Sequence, residues 1–129
     1  MGSIDKANRW VLIIEDDVHL AKGIGELLTD ADFKIMSVEK PQDAIARLKN
    51  QKFDCILLDL KLEGGSGEQV ISFVRGNKGF NHESPIIVIS GKLDIEVAKR
   101  ISKNVSWILV KPFNDDELLK KVTHVSSQG

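Results

Sequence analysis

The sequence predicts a doubly wound α/β domain built on five parallel strands in the order 2-1-3-4-5. Three observations lead there. Short continuous apolar runs, VLII, CILL, IIVI and WILV, recur along the chain. Runs of that length, rich in Val and Ile, suit strands buried on both faces of a parallel sheet. Segments with helical spacing separate them, so the element order is βαβαβαβαβα. Finally, each apolar run stops at a polar residue capable of phosphate or metal chemistry: Glu15-Asp16, Asp59, Ser90 and Lys111. Ligands of open α/β sheets bind just beyond the carboxyl ends of the strands.

Each element has its own signal. After VLII, the residues Leu20, Ile24, Leu27, Leu28 and Ala31 recur at helical spacing, predicting a helix over 18–30. Lys34 to Val38 reads as a modest second strand. Pro41 suits the first turn of a helix, which Ala44, Ile45 and Leu48 continue to Asn50. Phe53 to Asp59 is the third strand. The turn Gly64-Gly65-Ser66-Gly67 leads into a helix with Val70, Ile71 and Val74 inward. Pro85 opens the fourth strand, Ile86 to Ser90, where a missing N–H is tolerated. Asp94 to Lys103 is a short helix, and Trp107 to Lys111 the fifth strand, with Trp107 expected in the core or under a helix. Asn114 caps the last helix, and Asp115, Asp116 and Glu117 favour the positive end of its dipole.

Bulk properties bound the function. The 129 residues suit one domain with a real core. Expected boundaries are a flexible leader at 1–8, the domain at 9–125 and a flexible tail at 126–129. A net charge of −1 gives no basic excess for direct nucleic-acid or anionic-membrane binding. No apolar stretch approaches the roughly 18 residues that span a bilayer, and no secretory leader is visible. The lone Cys55 sits in an apolar run and reads as a buried core side chain. A cytoplasmic, disulfide-free protein is expected, with any output module carried elsewhere.

The chemistry lies in the strand ends. Glu15 and Asp16 follow the first strand, and Asp59 ends the neighbouring third strand. Three carboxylates in one crevice repel, at roughly 4 kcal/mol per pair for 4 Å and an effective dielectric near 20. A hard divalent cation relieves this, and Mg²⁺ takes one or two carboxylates while keeping several waters. Lys111 adds a further positive charge, and the neutralised pocket can accept a phosphoryl group. Asp59 is the candidate nucleophile, because carboxylates form acyl phosphates. Metal and Lys111 would offset charge on the transferring oxygens, and Ser90 would donate a hydrogen bond. Gly64-Gly65-Ser66-Gly67 lacks the Lys-Ser/Thr of a P-loop, and Lys61 stands where a haloacid-dehalogenase-like phosphatase needs a second Asp.

At VLIIEDD, LLDLKLEGGSGEQVI, IIVISG and VKPF the chain resembles the receiver domain of two-component response regulators, over about residues 9–125. The resemblance implies a flavodoxin-like receiver fold in which Asp59 accepts phosphate from a histidine kinase or histidine phosphotransfer protein. It implies Mg²⁺ held by Asp16, Asp59 and the carbonyl of Lys61, with Glu15 acting through water. Ser90 and Lys111 would contact the phosphoryl group, Lys111-Pro112 would be cis, and a downstream output domain or effector would read the phosphorylated state.

The chain departs from the family pattern at three places. Ile108 occupies the usual position of a switching Tyr or Phe, so weaker coupling is expected. Glu63 replaces a frequent proline. Lys61 and Lys92 flank the phosphoryl position, either shielding an acyl phosphate from water or simply solvated. The other function class compatible with the sequence is a receiver-fold interaction module that does not signal through phosphorylation.

Overall fold

A computed structural model describes residues 8–62, 65–92 and 94–127. Residues 1–7 of the expected leader, Glu63, Gly64 and the terminal Gln128-Gly129 lie outside the described residues. The central sheet contains β1 (Trp10–Ile14), β2 (Lys34–Val38), β3 (Cys55–Asp59), β6 (Ile86–Ser90) and β7 (Trp107–Val110). All its pairings are parallel and its order is β2-β1-β3-β6-β7, the predicted 2-1-3-4-5. The helices are α1 (Val18–Asp30), α2 (Pro41–Asn50), α3 (Gly67–Gly76), α4 (Ile95–Ile101) and α5 (Asp115–Ser126). A two-residue antiparallel hairpin that the sequence reading missed, β4 (Lys61–Leu62) with β5 (Gly65–Ser66), stands between β3 and α3.

Strand periodicity sorts the core into two layers. Leu12, Ile14, Ile56, Leu58, Ile86 and Val88 face Ala44, Leu48, Val70, Ile71, Val74 and Ile101 of α2, α3 and α4. Their strand neighbours Val11, Ile13, Cys55, Leu57, Ile87 and Ile89 face α1 and α5 through Ile24, Leu28, Leu118, Val122 and Val125. Alternate side chains of a strand point to opposite faces, so a continuous apolar run supplies both layers at once.

Helix ends follow their polar signals. Side chains of Asp17, Ser66, Asp94 and Asn114 accept backbone N–H groups at the starts of α1, α3, α4 and α5. Pro41 opens α2 as expected. Helix α5 continues through Ser126, and Ser127 is its C-cap.

Two differences from the sequence reading have clear causes. Strand β3 starts at Cys55 rather than Phe53 because buried Asn81 accepts the Phe53 N–H at 2.8 Å. The same amide donates to the carbonyls of Leu48 and Gln51, tying the end of α2 to the loop before β6. Trp107, expected in the core or under a helix, is 42% exposed, with the ammonium of Lys121 from α5 4.0 Å from its ring centroid.

Gly67 sets the join between β3 and α3. A Cβ there would lie 2.6 Å from the Asp59 carbonyl oxygen and 2.7 Å from Leu60 Cα, both backbone atoms. Gly67→Ala should therefore destabilise the fold by about 1–3 kcal/mol, the usual range for overpacking, seen as a lower urea midpoint.

Candidate functional site

Strand ladders deliver the site residues one by one. The Glu15 N–H donates to the Val38 carbonyl at 3.1 Å, extending the β1–β2 ladder past Ile14. The Asp17 N–H then donates to Glu15 Oε2 at 3.1 Å, so the residue that caps α1 also holds the Glu15 carboxylate. Asp59 is the buried last residue of β3, and its Oδ1 accepts the Lys61 N–H at 3.0 Å. That local turn is a common conformation for Asp. Beyond β7, the Lys111 N–H donates to the Ser90 carbonyl at 2.8 Å. Lys111-Pro112 is cis, as expected.

These placements bring three predicted acids and the lysine together. Glu15, Asp16 and Asp59 each offer a carboxylate oxygen, all within 4.8 Å of one another. The Lys111 ammonium stands 3.0 Å from Asp59 Oδ2 and 3.0 Å from Glu15 Oε1. The second contact is an ion pair without hydrogen-bond geometry, since Glu15 Oε1 is buried and has no hydrogen-bond partner. Burial pushes the Glu15 carboxyl up to about 7; the Asp17 N–H and Lys111 pull it down, and nearby Asp59 raises it again. Burial alone would lower the Lys111 ammonium, but Asp59 and Glu15 outweigh that and hold it above its ordinary value. One ammonium against three clustered carboxyl groups leaves a negative, oxygen-lined cleft. A buried carboxylate oxygen without a hydrogen bond, beside two further acids, fits a hard divalent cation.

Ser90 is brought to the same end of the sheet, with its hydroxyl engaged by a backbone carbonyl rather than by a carboxylate. Its hydroxyl donates to the Lys92 carbonyl at 2.9 Å. The side chains of Lys61 and Lys92 belong to exposed residues at the rim. Two supporting features escaped the sequence reading, the Asp17 N–H on Glu15 and the backing of Asp59 by Gly67. The glycine-rich run before α3 was the available signal for the second.

Comparison with known proteins agrees with this geometry. The family model of the response regulator receiver domain matches residues 11–123. The chain belongs to the response regulator receiver family. Among curated relatives, the cell cycle response regulator CtrA of Brucella ovis is 33% identical over 113 residues, 87% of this chain and 47% of the relative. This receiver thus spans about half the length of the curated relatives it matches. The signal receiver domain of a putative LuxO repressor protein from Vibrio parahaemolyticus is 30% identical, with a TM-score of 0.85 over 93% of this chain and 91% of that one. The receiver domain of sensor histidine kinase PA1611 from Pseudomonas aeruginosa shares the fold at 20% identity, with a TM-score of 0.82 over 92% of this chain and 98% of that one. That neighbour was solved with a magnesium ion coordinated in its active-site cleft. Receiver domains are signalling modules of two-component systems, and no helix among the described residues is long and apolar enough to cross a membrane.

The raised Glu15 carboxyl predicts a pH dependence with a definite sign. A group whose folded pKa exceeds its unfolded value contributes stability that is full below the unfolded value, here 4.5, and is lost as pH rises through about 7. In a metal chelator, this contribution to the melting temperature should therefore fall between pH 5 and pH 8. Glu15→Gln, which cannot ionise, should flatten that slope. Equal slopes for parent and variant would show that Glu15 does not titrate in this range.

Proposed function

We propose that this receiver accepts a phosphoryl group on Asp59 from the phosphohistidine of a histidine kinase or histidine phosphotransfer protein, with Mg²⁺ as cofactor. The observation that carries the reading is the Asp59 carboxylate at a strand end, with Oδ1 held by the Lys61 N–H and Oδ2 by Lys111. A carboxylate anchored on both oxygens keeps its orientation toward an incoming phosphorus. In the transfer, an Asp59 oxygen forms the new O–P bond as the P–N bond of the donor breaks and the imidazole leaves with the electron pair. Lys111, 3.0 Å from Asp59 Oδ2, would offset charge on the phosphoryl oxygens. Asp16, Asp59 and the Lys61 carbonyl would hold the metal, with Glu15 assisting through water. When bound, Mg²⁺ offsets charge on the carboxylates and the transferring group. On this reading the domain is a cytoplasmic signalling module rather than an enzyme acting on external substrates.

Phosphorylation takes Asp59 from about −1 to about −2 at neutral pH. The Ser90 hydroxyl would leave the Lys92 carbonyl and donate to the new oxygens, drawing the loop before α4 with it. Such a local change biases a two-state surface, here α4, β7 and α5. Ile95 and Val110 are large apolar residues exposed on α4 and β7, available to an output domain or effector protein. Ile108 is half-buried against the layer containing α2, α3 and α4 and has no ring to move, so this coupling should be weaker than where an aromatic stands.

Acetyl phosphate with Mg²⁺ should add one phosphoryl mass to the intact chain. Asp59→Asn should abolish the addition, and Asp16→Asn should weaken both it and the Mg²⁺-dependent rise in melting temperature. Full labelling of Asp59→Asn would defeat the assignment. Separately, amide hydrogen exchange across residues 94–110 should change on phosphorylation of the parent, and Ser90→Ala should remove most of that change while still accepting phosphate. A pattern unchanged in the phosphorylated parent would leave a phosphate sink or a static binding module.

A further inference from the structure

We propose that the Glu68–Arg100 ion pair is a strut through which the phosphoacceptor turn restrains α4, alongside the route through Ser90. The regulatory half of this proposal rests on the phosphoacceptor reading above. The strut begins where α3 meets β3. The Gly67 N–H donates to the Leu60 carbonyl at 2.8 Å, and Gly67 lies so close to the Asp59–Leu60 backbone that no Cβ fits between them. The first turn of α3 and the phosphoacceptor turn are therefore one packed unit.

The next residue, Glu68, carries the connection outward. Its two carboxylate oxygens accept from Arg100 Nε at 2.9 Å and Nη2 at 2.8 Å. A bidentate guanidinium–carboxylate pair fixes both distance and orientation, which a single contact does not. Arg100 belongs to α4, a helix of seven residues in which only Ile101 is buried. With so little apolar anchoring, the position of α4 depends more than usual on its polar tethers. A second tether joins the far end of α3 to the chain just after α4, where Arg75 Nε donates to the Asn104 carbonyl at 3.0 Å. Helix α3 thus grips α4 and its following turn through one arginine from each side.

The arrangement gives Asp59 two routes to α4. One passes through Ser90 and reaches the start of the helix along its loop. The other passes through Gly67 and Glu68 and reaches its last turn at Arg100. A shift of the phosphoacceptor turn that misaligns Glu68 weakens both hydrogen bonds of the fork together, and α4 loosens. Arg100 is exposed and Glu68 half-buried, so solvent reaches the pair and it is sensitive to salt. That suits a tether meant to yield.

The test is hydrogen exchange of residues 95–101 in the full chain, comparing the parent with Glu68→Gln, Arg100→Gln, the double variant and the exchanged pair Glu68→Arg with Arg100→Glu. At low salt and without phosphodonor, each single variant should raise exchange about 2–5-fold, the range for an exposed but well-aligned pair. The double variant should exceed neither single, because both remove the same interaction, and the exchanged pair should recover part of the protection. Adding 0.5 M NaCl should loosen α4 in the parent and not in the double variant. Unchanged exchange in both single variants, or single effects that simply add, would overturn the strut. With acetyl phosphate and Mg²⁺, the phosphorylation-dependent rise at 95–101 should shrink in the double variant, whose α4 is already released. An undiminished rise would overturn the regulatory role. Intact mass, measured in the same samples, reads the phosphoacceptor assignment separately: absence of the added mass in the parent would defeat that assignment and the regulatory role with it, whereas the comparison without phosphodonor judges the strut itself.

Discussion

Two carboxylates, Glu15 and Asp59, are buried at the ends of adjacent parallel strands, with the Lys111 ammonium between them as their common partner. Buried charges are costly unless paired and hydrogen-bonded, and the surrounding architecture supplies the partners. Strand order puts β1 beside β3, so the two acids share one crevice. Lys111 directly follows β7, two strands away from β3 and about 10 Å off at the usual strand spacing. Only a long cationic side chain bridges that gap, and the Lys111 N–H bonded to the Ser90 carbonyl starts it in the right direction. The turns after β1 and β3 complete the support, since each folds back a backbone N–H from two residues on to hold its carboxylate.

The same end of the sheet joins rigid and yielding parts. Asp59 is backed by Gly67 and by β6, inside a core filled from both faces. Helix α4, next to this unit, is short and lightly buried. Local free energies of opening follow such differences in burial, so α4 is a compliant element beside a rigid one. At the opposite end, Asn81 and Arg75 tie loops by hydrogen bonds to backbone carbonyls, whereas the acid cluster lies at the carboxyl ends of the strands.

Much of this was legible before any coordinates. Continuous apolar runs identify doubly covered strands because both faces must be filled, and the residue that ends each run must lie at the sheet's rim. Glu15, Asp16, Asp59 and Lys111 were recognisable on that ground, and the Asn114 cap follows from local chemistry within three residues. The hairpin of Lys61–Leu62 with Gly65–Ser66 was not visible, because two-residue strands have no period to detect.

What the sequence by itself determined was the five strands of the central sheet, the five helices, their order and the residues gathered at the strand ends, since all of these are written in local periodicity and in where it stops. The tertiary structure alone decided which of those groups touch. It turned the Ser90 hydroxyl toward the Lys92 carbonyl rather than the acids, started β3 at Cys55 through the Asn81 amide, left Trp107 exposed beneath Lys121, and paired Glu68 with Arg100. Most of these contacts join residues far apart in the chain, or turn on a single hydroxyl's choice of partner. Neither leaves a repeat in the sequence, because each is settled by the distances between packed elements.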